Sequence, residues 1–173
     1  HTAKVFVDDK FVCEHYNAFT QFEAVVKNLP SGVHKLSVLV DNSFSEASAL
    51  HVENDYQSYG GISRGVVLEK LPKHYIRQMH FTPIYKDGGW YARIKLVITS
   101  LTEDRWDGTV NVTLKNGETE AFLCSETCSM KENEDELTIE TDEIACKAVS
   151  AWAPEHPTLY MLSAQLEDED GKV

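Results

Sequence analysis

The stretch HVENDYQSYGGISRGVVLEKLP, residues 51–72, decides how the chain is organised. It runs from a polar loop through a Gly-Gly turn into Val66–Leu71, whose β-prone residues predict a strand. Pro72 ends this run, and a proline cannot donate a hydrogen bond to a continuing ladder. We therefore place a boundary here and predict two β units, residues 1–72 and 73–173.

Short β-prone runs recur on both sides of this boundary, whereas helical periodicity is almost absent. Turn residues such as Asp8-Asp9, Asp87-Gly88-Gly89 and Asn116-Gly117 separate the runs. The pattern predicts an all-β chain with four or five strands in the first unit and about seven in the second, enough for a sandwich. The predicted strands are Lys4–Val12, Leu36–Val40, Val66–Leu71, Ile76–Tyr85, Tyr91–Ser100, Thr109–Leu114, Leu137–Glu140 and Tyr160–Leu166.

The composition excludes several classes of function. Hydrophobic residues make up 42% of the chain and charged residues 25%, which favours a packed core over disorder. The formal net charge of -12 opposes binding to nucleic acids and to anionic membrane surfaces. No run approaches the roughly 18 apolar residues of a membrane helix, and no signal-peptide pattern is present. We expect neither nucleic acid nor a membrane as a partner and favour a cytoplasmic location.

The cysteines and histidines do not form a recognisable metal site. Cys13, Cys124, Cys128 and Cys146 are scattered, and a zinc site would need paired knuckles or interleaved histidines. The seven histidines show no ligand spacing either. We therefore expect structural or reduced thiols, no metal and no cofactor. The sequon Asn111-Val-Thr113 is interpreted as part of a strand.

Several motifs carry a family resemblance. The tract Asp55–Arg64 resembles the Asp-x-x-x-Tyr-x-Gly-Ile-x-Arg segment that ends the sugar-binding domain of glycoside hydrolase family 2. Further segments are similar to the family's motifs in the same order: the hairpin Val5–Val12, the segment Glu14–Glu23, the strand Leu36–Asn42 and the segment Trp152–Tyr160. Trp152 and Tyr160 are expected in a sandwich core or at a domain junction.

The resemblance implies a partial jelly-roll β-sandwich in residues 1–72, followed by an immunoglobulin-like β-sandwich in residues 73–173. Enzymes of the family cleave β-linked sugars by retention, with two carboxylates on a barrel that would begin after this chain. Retention needs a carboxylate pair about 5 to 5.5 Å apart, and sequence neighbours such as Asp8 and Asp9 would point to opposite faces of a strand. We therefore expect no catalytic residue in this chain. In the parent enzyme, the chain would support the missing catalytic barrel. The parent is expected to be a homo-oligomer.

Asp55 is the candidate for sugar binding. In the family, an Asp seven positions before the Ile of Gly-Ile-x-Arg reaches into the barrel and holds a sugar hydroxyl, and Asp55 and Ile62 keep that spacing. A carboxylate suits this task because its acceptor oxygens make charge-assisted hydrogen bonds. Alternatively, Asp55 caps its own loop in an Asx turn. Tyr56 and Tyr59 would pack the loop or stack on sugar, and Arg64 would fix the loop through its several donors.

Two classes of function remain open. The Asp55–Arg64 tract and the following Leu71–Ile76 resemble β-glucuronidases more than β-galactosidases, and the carbohydrate substrate would be bound through the parent enzyme. The alternative is a free-standing β-sandwich module for carbohydrate binding or adhesion, with aromatic residues in its own groove. A reading frame that continues into alternating strands and helices would distinguish the enzyme from the module.

Overall fold

The computed structural model describes residues 2–44, 59–169 and 171. These residues form ten β-strands and no helix, which confirms the all-β prediction. Consequently, none of them forms a helix that could cross a membrane. The chain divides into two compact units, His1–Glu69 and Lys70–Val173. The functional domain boundary after Pro72 stays a prediction.

The first unit contains one three-stranded antiparallel sheet in the order β2-β1-β3. The described part of this unit thus contains three strands, whereas four or five were expected in residues 1–72. The prediction of a strand at Val66–Leu71 was wrong. This segment is irregular, and most of its residues are exposed. A strand needs a neighbour to pair its backbone groups, so β propensity alone did not suffice. The strands are β1 (Thr2–Val7), β2 (Lys10–Tyr16) and β3 (Leu36–Asp41).

A two-residue turn joins β1 to β2, as predicted. Val7 pairs with Lys10 across it. The φ angles of Asp8 and Asp9 are 48° and 61°, which is the left-handed pair that a type I′ hairpin turn requires. Aspartate tolerates this region better than most residues do. Asp9 therefore serves where glycine would be the commoner choice.

The second unit contains seven strands in two antiparallel sheets. One sheet has the order β10-β6-β7, and the other has the order β4-β5-β8 with β9 also pairing with β5. Strands β7 and β9 were missed by the sequence prediction. The strands are β4 (His74–Lys86), β5 (Gly89–Ser100), β6 (Trp106–Asn116), β7 (Thr119–Met130), β8 (Glu136–Glu140), β9 (Ile144–Cys146) and β10 (Met161–Asp168).

Inward-facing side chains from the two sheets form the core of the second unit. Ile94 and Leu96 from β5, and Val110 and Val112 from β6, are completely buried in one cluster. Burying such a side chain contributes about 1.5 to 3 kcal/mol to folding. Every second residue of β6 is buried from Trp106 to Leu114, which is the alternation expected of a sandwich strand.

Tyr160 and Trp152 differ in their surroundings. Tyr160 packs against the core, and its hydroxyl accepts a hydrogen bond of 2.9 Å from the backbone N–H of Ser150. Trp152 is 58% exposed, so the prediction of a core position was wrong for this residue. It lies in a segment outside the ladders, where Pro154 and Pro157 provide no backbone donor.

Candidate functional site

The predicted sugar-contact loop is only partly covered by the described residues. Asp55 and Tyr56 lie outside them, so their roles stay predictions. Tyr59 lies on the surface with 79% of its area exposed. Arg64 is also exposed, and within the described part of the chain it forms no hydrogen bond or ion pair. The support of the loop by Tyr59 and Arg64 stays a prediction.

The Gly-Gly turn after this loop lies against the end of β3. A β-carbon on Gly60 would lie 3.2 Å from Cγ of Asn42, closer than an ordinary contact. Gly61 has a φ of 92°, a conformation that other residues rarely adopt. Two motifs that are separate in the sequence, Asp41-Asn42 and Gly60-Gly61, therefore meet in the first unit.

A local turn fixes the position of Asn42. The carboxylate of Asp41 accepts hydrogen bonds from the Ser43 hydroxyl at 2.6 Å and the Ser43 backbone N–H at 2.9 Å. These two bonds lower the pKa of Asp41. The turn redirects the chain at the end of β3, so that Asn42 faces Gly60.

The segment after β2 folds back on that strand. The ring of His15 stacks on Phe22 with centroids 4.5 Å apart, and its Nε2 lies 3.0 Å from the Thr20 hydroxyl. Asn17 closes the turn by accepting a 2.8 Å hydrogen bond from the backbone N–H of Phe19. This part of the Glu14–Glu23 motif is thus held by its own side chains.

Among the described carboxyl groups, the four that have a shifted pKa do not resemble a glycosidase acid. Those with a shifted pKa, namely Asp8, Asp41, Asp107 and Glu143, all have it lowered. For Asp107 and Glu143 the main cause is a hydrogen bond from Arg105 and from Lys86, respectively. A retaining general acid needs a raised pKa instead. Among the residues described, no group of His, Cys, Asp and Glu is arranged to hold a metal ion.

The four thiols are unpaired. Burial raises the pKa of Cys124, Cys128 and Cys146, which keeps these groups in the less reactive thiol form. They pack against or within the core as small apolar side chains.

One interacting group was missed by the sequence analysis. The ring of His34 lies between Asp8 and Pro30, although Asp8 is 26 positions away in the chain. The pairing of Val7 with Leu36 brings the two regions together. The acidic pair Asp8-Asp9 and the basic pair His34-Lys35 can both be seen in the sequence. Only the register of β1 with β3 makes them neighbours.

Comparison with known proteins identifies the family. The model of the glycosyl hydrolases family 2 matches residues 74–173. This chain belongs to that family. The β-galactosidase of Thermoanaerobacter pseudethanolicus is 28% identical over 173 residues, an alignment that covers 97% of this chain and 22% of the relative. A putative β-glucuronidase of Formosa agariphila is 24% identical over 166 residues, or 95% of this chain and 19% of that protein.

Solved structures of family 2 enzymes share the fold. The GH2 β-galacturonidase from Eisenbergiella tayi bound to galacturonate is 45% identical with a TM-score of 0.88, over 99% of this chain and 30% of that protein. The β-glucuronidase of Bacteroides uniformis is 16% identical with a TM-score of 0.78, over 99% of this chain and 22% of its own. The family and fold predictions are therefore confirmed. The chain spans less than a third of each of these proteins.

Proposed function

We propose that this chain is a non-catalytic part of a retaining β-glycosidase. In the whole protein it would support the catalytic barrel and contribute the Asp55 loop to the sugar pocket. The observation that carries the proposal is 45% identity across 99% of this chain to a β-galacturonidase, of which the chain covers 30%. In addition, none of the described carboxyl groups with a shifted pKa has the raised value that a general acid needs.

The substrate class we propose is a β-linked hexuronide. The tracts Asp55–Arg64 and Leu71–Ile76 resemble β-glucuronidases more than β-galactosidases. The relative at 45% identity is a β-galacturonidase whose structure was solved with galacturonate bound. Galacturonate and glucuronate share the carboxylate at C6 and differ in configuration at C4. A β-linked hexuronide is therefore consistent with both resemblances. The β-glucuronide and the β-galacturonide are the first two substrates to compare.

The test is a comparison of aryl β-glycosides with the full-length protein that contains this chain. We expect p-nitrophenyl β-galacturonide or β-glucuronide to be hydrolysed with a kcat/KM at least about tenfold above that of the β-galactoside, a difference of about 1.4 kcal/mol in transition-state binding. The 173-residue chain alone is the matched control, and it should hydrolyse none of the three.

Each result decides one part of the proposal. Preference for the β-galactoside would overturn the hexuronide class but leave the glycosidase assignment. Hydrolysis by the 173-residue chain, stopped by a covalent family inhibitor, would overturn its non-catalytic role. A full-length protein inactive on all three substrates would overturn the proposal as a whole.

A further inference from the structure

The imidazole ring of His34 lies between two hydrogen-bond acceptors in the first unit. Its Nδ1 is 2.6 Å from a carboxylate oxygen of Asp8, and its Nε2 is 2.7 Å from the carbonyl oxygen of Pro30. A neutral imidazole carries one N–H and one lone pair, so it can donate to only one of these oxygens. Both bonds form only when both nitrogens are protonated, which makes the bound ring an imidazolium.

The carboxylate of Asp8 is itself held in place. Its second oxygen accepts a 2.9 Å hydrogen bond from the backbone N–H of Lys35, and the N–H of Asp8 donates to the Lys35 carbonyl at 2.9 Å. The Lys35 ammonium also pairs with Asp9 at 2.9 Å. Only 21% of the His34 side chain is exposed, so water competes little for its nitrogens. The β1–β2 turn is thus tied directly to the residues that lead into β3.

We propose that Asp8, His34 and Pro30 form a pH-sensitive latch that holds the Pro30 carbonyl against the His34 ring, and through that ring against the Asp8-Asp9 turn, while His34 is protonated. This inference does not depend on the proposed glycosidase function. When His34 loses a proton, the charge-assisted bond to Asp8 is the stronger of the two and stays. The bond to Pro30 is lost, and the turn from Pro30 to His34 opens.

The direction of the pH dependence follows from the neighbouring charges. The hydrogen bond to Asp8, and after it the bond to Pro30, raises the pKa of His34 above its usual 6.5. The latch is therefore complete below pH 6.5 and is lost as the pH rises through the raised value. The pKa of Asp8 is lowered, mainly by His34 and then by the N–H of Lys35, so the carboxylate stays ionised until strongly acidic pH.

Other charged groups also lie near the latch. The positive charge of Lys10 acts on Asp8 and helps to lower its pKa. Lys35 and Asp9 form an exposed ion pair with each other. His34 is the group that lies between the two acceptors, so its proton opens and closes the latch.

The experiment is an NMR titration of the imidazole nitrogens in the 15N-labelled 173-residue chain. We expect both nitrogens of His34 to be protonated at pH 6, with a midpoint above 6.5. Asp8→Asn should lower that midpoint by about one unit, the scale on which a neighbouring charge acts. Asp9→Asn is the matched control, because it removes an adjacent charge without touching His34, and it should move the midpoint less.

The carbonyl group of Pro30 gives a second, structural measurement. With 13C at that carbonyl, its chemical shift should change as the pH passes the His34 midpoint, because the carbonyl then loses its hydrogen-bond donor. The Lys35 amide, which donates to Asp8, should keep its protection from hydrogen exchange over the same range. In His34→Gln, which cannot titrate, the Pro30 carbonyl shift should not change with pH. A His34 midpoint at or below 6.5, equal shifts from Asp8→Asn and Asp9→Asn, or a pH-dependent Pro30 carbonyl in His34→Gln would overturn the latch.

Discussion

The indole ring of Trp106 lies directly against the backbone of Gly108, two residues further along the same strand. A β-carbon at Gly108 would overlap the six-membered part of that ring and lie 2.5 Å from the carbonyl oxygen of Glu167 on β10. Neither neighbour can yield easily, because one is a buried ring and the other is backbone in a ladder. Trp106, Gly108 and β10 therefore fit together only because Gly108 has no side chain.

Gly108→Ala should destabilise the second unit by about 3 kcal/mol, at the upper end of the range for overpacked cores. The added methyl group must displace Trp106 or separate β6 from β10. Urea unfolding followed by tryptophan fluorescence and by circular dichroism measures the loss. Gly89→Ala is the matched control, since its new β-carbon would meet Tyr91 at an ordinary 3.5 Å. Equal effects of the two substitutions would contradict this account.

His74 should make the second unit less stable in acid. Its ring stacks on Trp106 with centroids 4.8 Å apart, and its Nε2 is buried without a partner among the described residues. Burial, and after it the charge of Lys73, lowers the pKa of His74, while Asp104 opposes the shift. The unfolded chain therefore binds this proton first, and stability falls as the pH drops below about 6.5.

The variant His74→Phe keeps a stacked ring but cannot bind a proton. We expect the urea midpoint of the wild type to fall more between pH 7.5 and 5.5 than that of the variant. Contributions from the other titrating groups are common to both proteins and cancel in the difference. Parallel falls in the two proteins would show that protonation of His74 is not the cause.

Asp55→Asn in the full-length protein should lower kcat/KM by about 10- to 100-fold while leaving the melting temperature unchanged. Asparagine keeps the shape and one acceptor oxygen, but it loses the charge that strengthens a bond to a sugar hydroxyl. Bonds to charged groups contribute roughly 1.5 to 3 kcal/mol, and about 1.4 kcal/mol corresponds to a factor of ten.

The same variant also tests the alternative role of Asp55 as a loop cap. An Asx turn tolerates asparagine well, because asparagine makes the same local hydrogen bond. Unchanged kinetics would therefore assign Asp55 to the loop and remove it from the sugar pocket. A lowered melting temperature together with lowered activity would show a structural effect and contradict the sugar contact.

The 173-residue chain should self-associate through its first unit. Among the described residues of that unit, Val5 alone is a buried apolar side chain. Within the described part of the chain, β3 pairs with β1 alone, and its sequence LSVLVD lacks the lysine or proline that commonly protects a free edge. Sedimentation velocity should show oligomers whose proportion increases with concentration.

A charge on the free edge should reduce this association. Leu39 on β3 is 62% exposed, and Leu39→Lys places an ammonium group there. Leu123 on β7 is 57% exposed in the second unit, so Leu123→Lys is a control of similar exposure and chemistry. A stable monomer in the wild type, or equal effects of the two lysines, would disprove the role of the β3 edge.

The features that could be predicted from sequence are those with local causes. The turns Asp8-Asp9 and Asp87-Gly88 were predicted because their residues favour left-handed conformations, and both have positive φ angles. Strand β7 was missed because its inward positions include Cys124, Cys128 and Met130, which are weak signals for a strand. Its eleven pairings with β6, from Trp106–Met130 to Asn116–Thr119, decide its conformation instead.

The candidate site was harder to predict, because its parts meet only through the fold. The contact between Gly60 and Asn42 joins positions that the residues 45–58 separate. The spacing of Asp55 and Ile62 led to a hypothesis for the loop, whereas nothing in the local sequence of His34 marked it as a partner of Asp8. Family motifs thus predicted the role of the loop, whereas the strand register placed His34 beside Asp8.

The strand order β10-β6-β7 also sets an order of folding. β4 with β5, and β6 with β7, are joined by two-residue turns, so these hairpins close short loops and can form early. The other edge of β6 pairs with β10 (Met161–Asp168), which follows β7, β8 and β9 in the chain. During synthesis, β6 therefore leaves the ribosome long before its last partner, and β10 acts as the closing strand. Until it arrives, one edge of the growing sheet is open to pairing with another nascent chain.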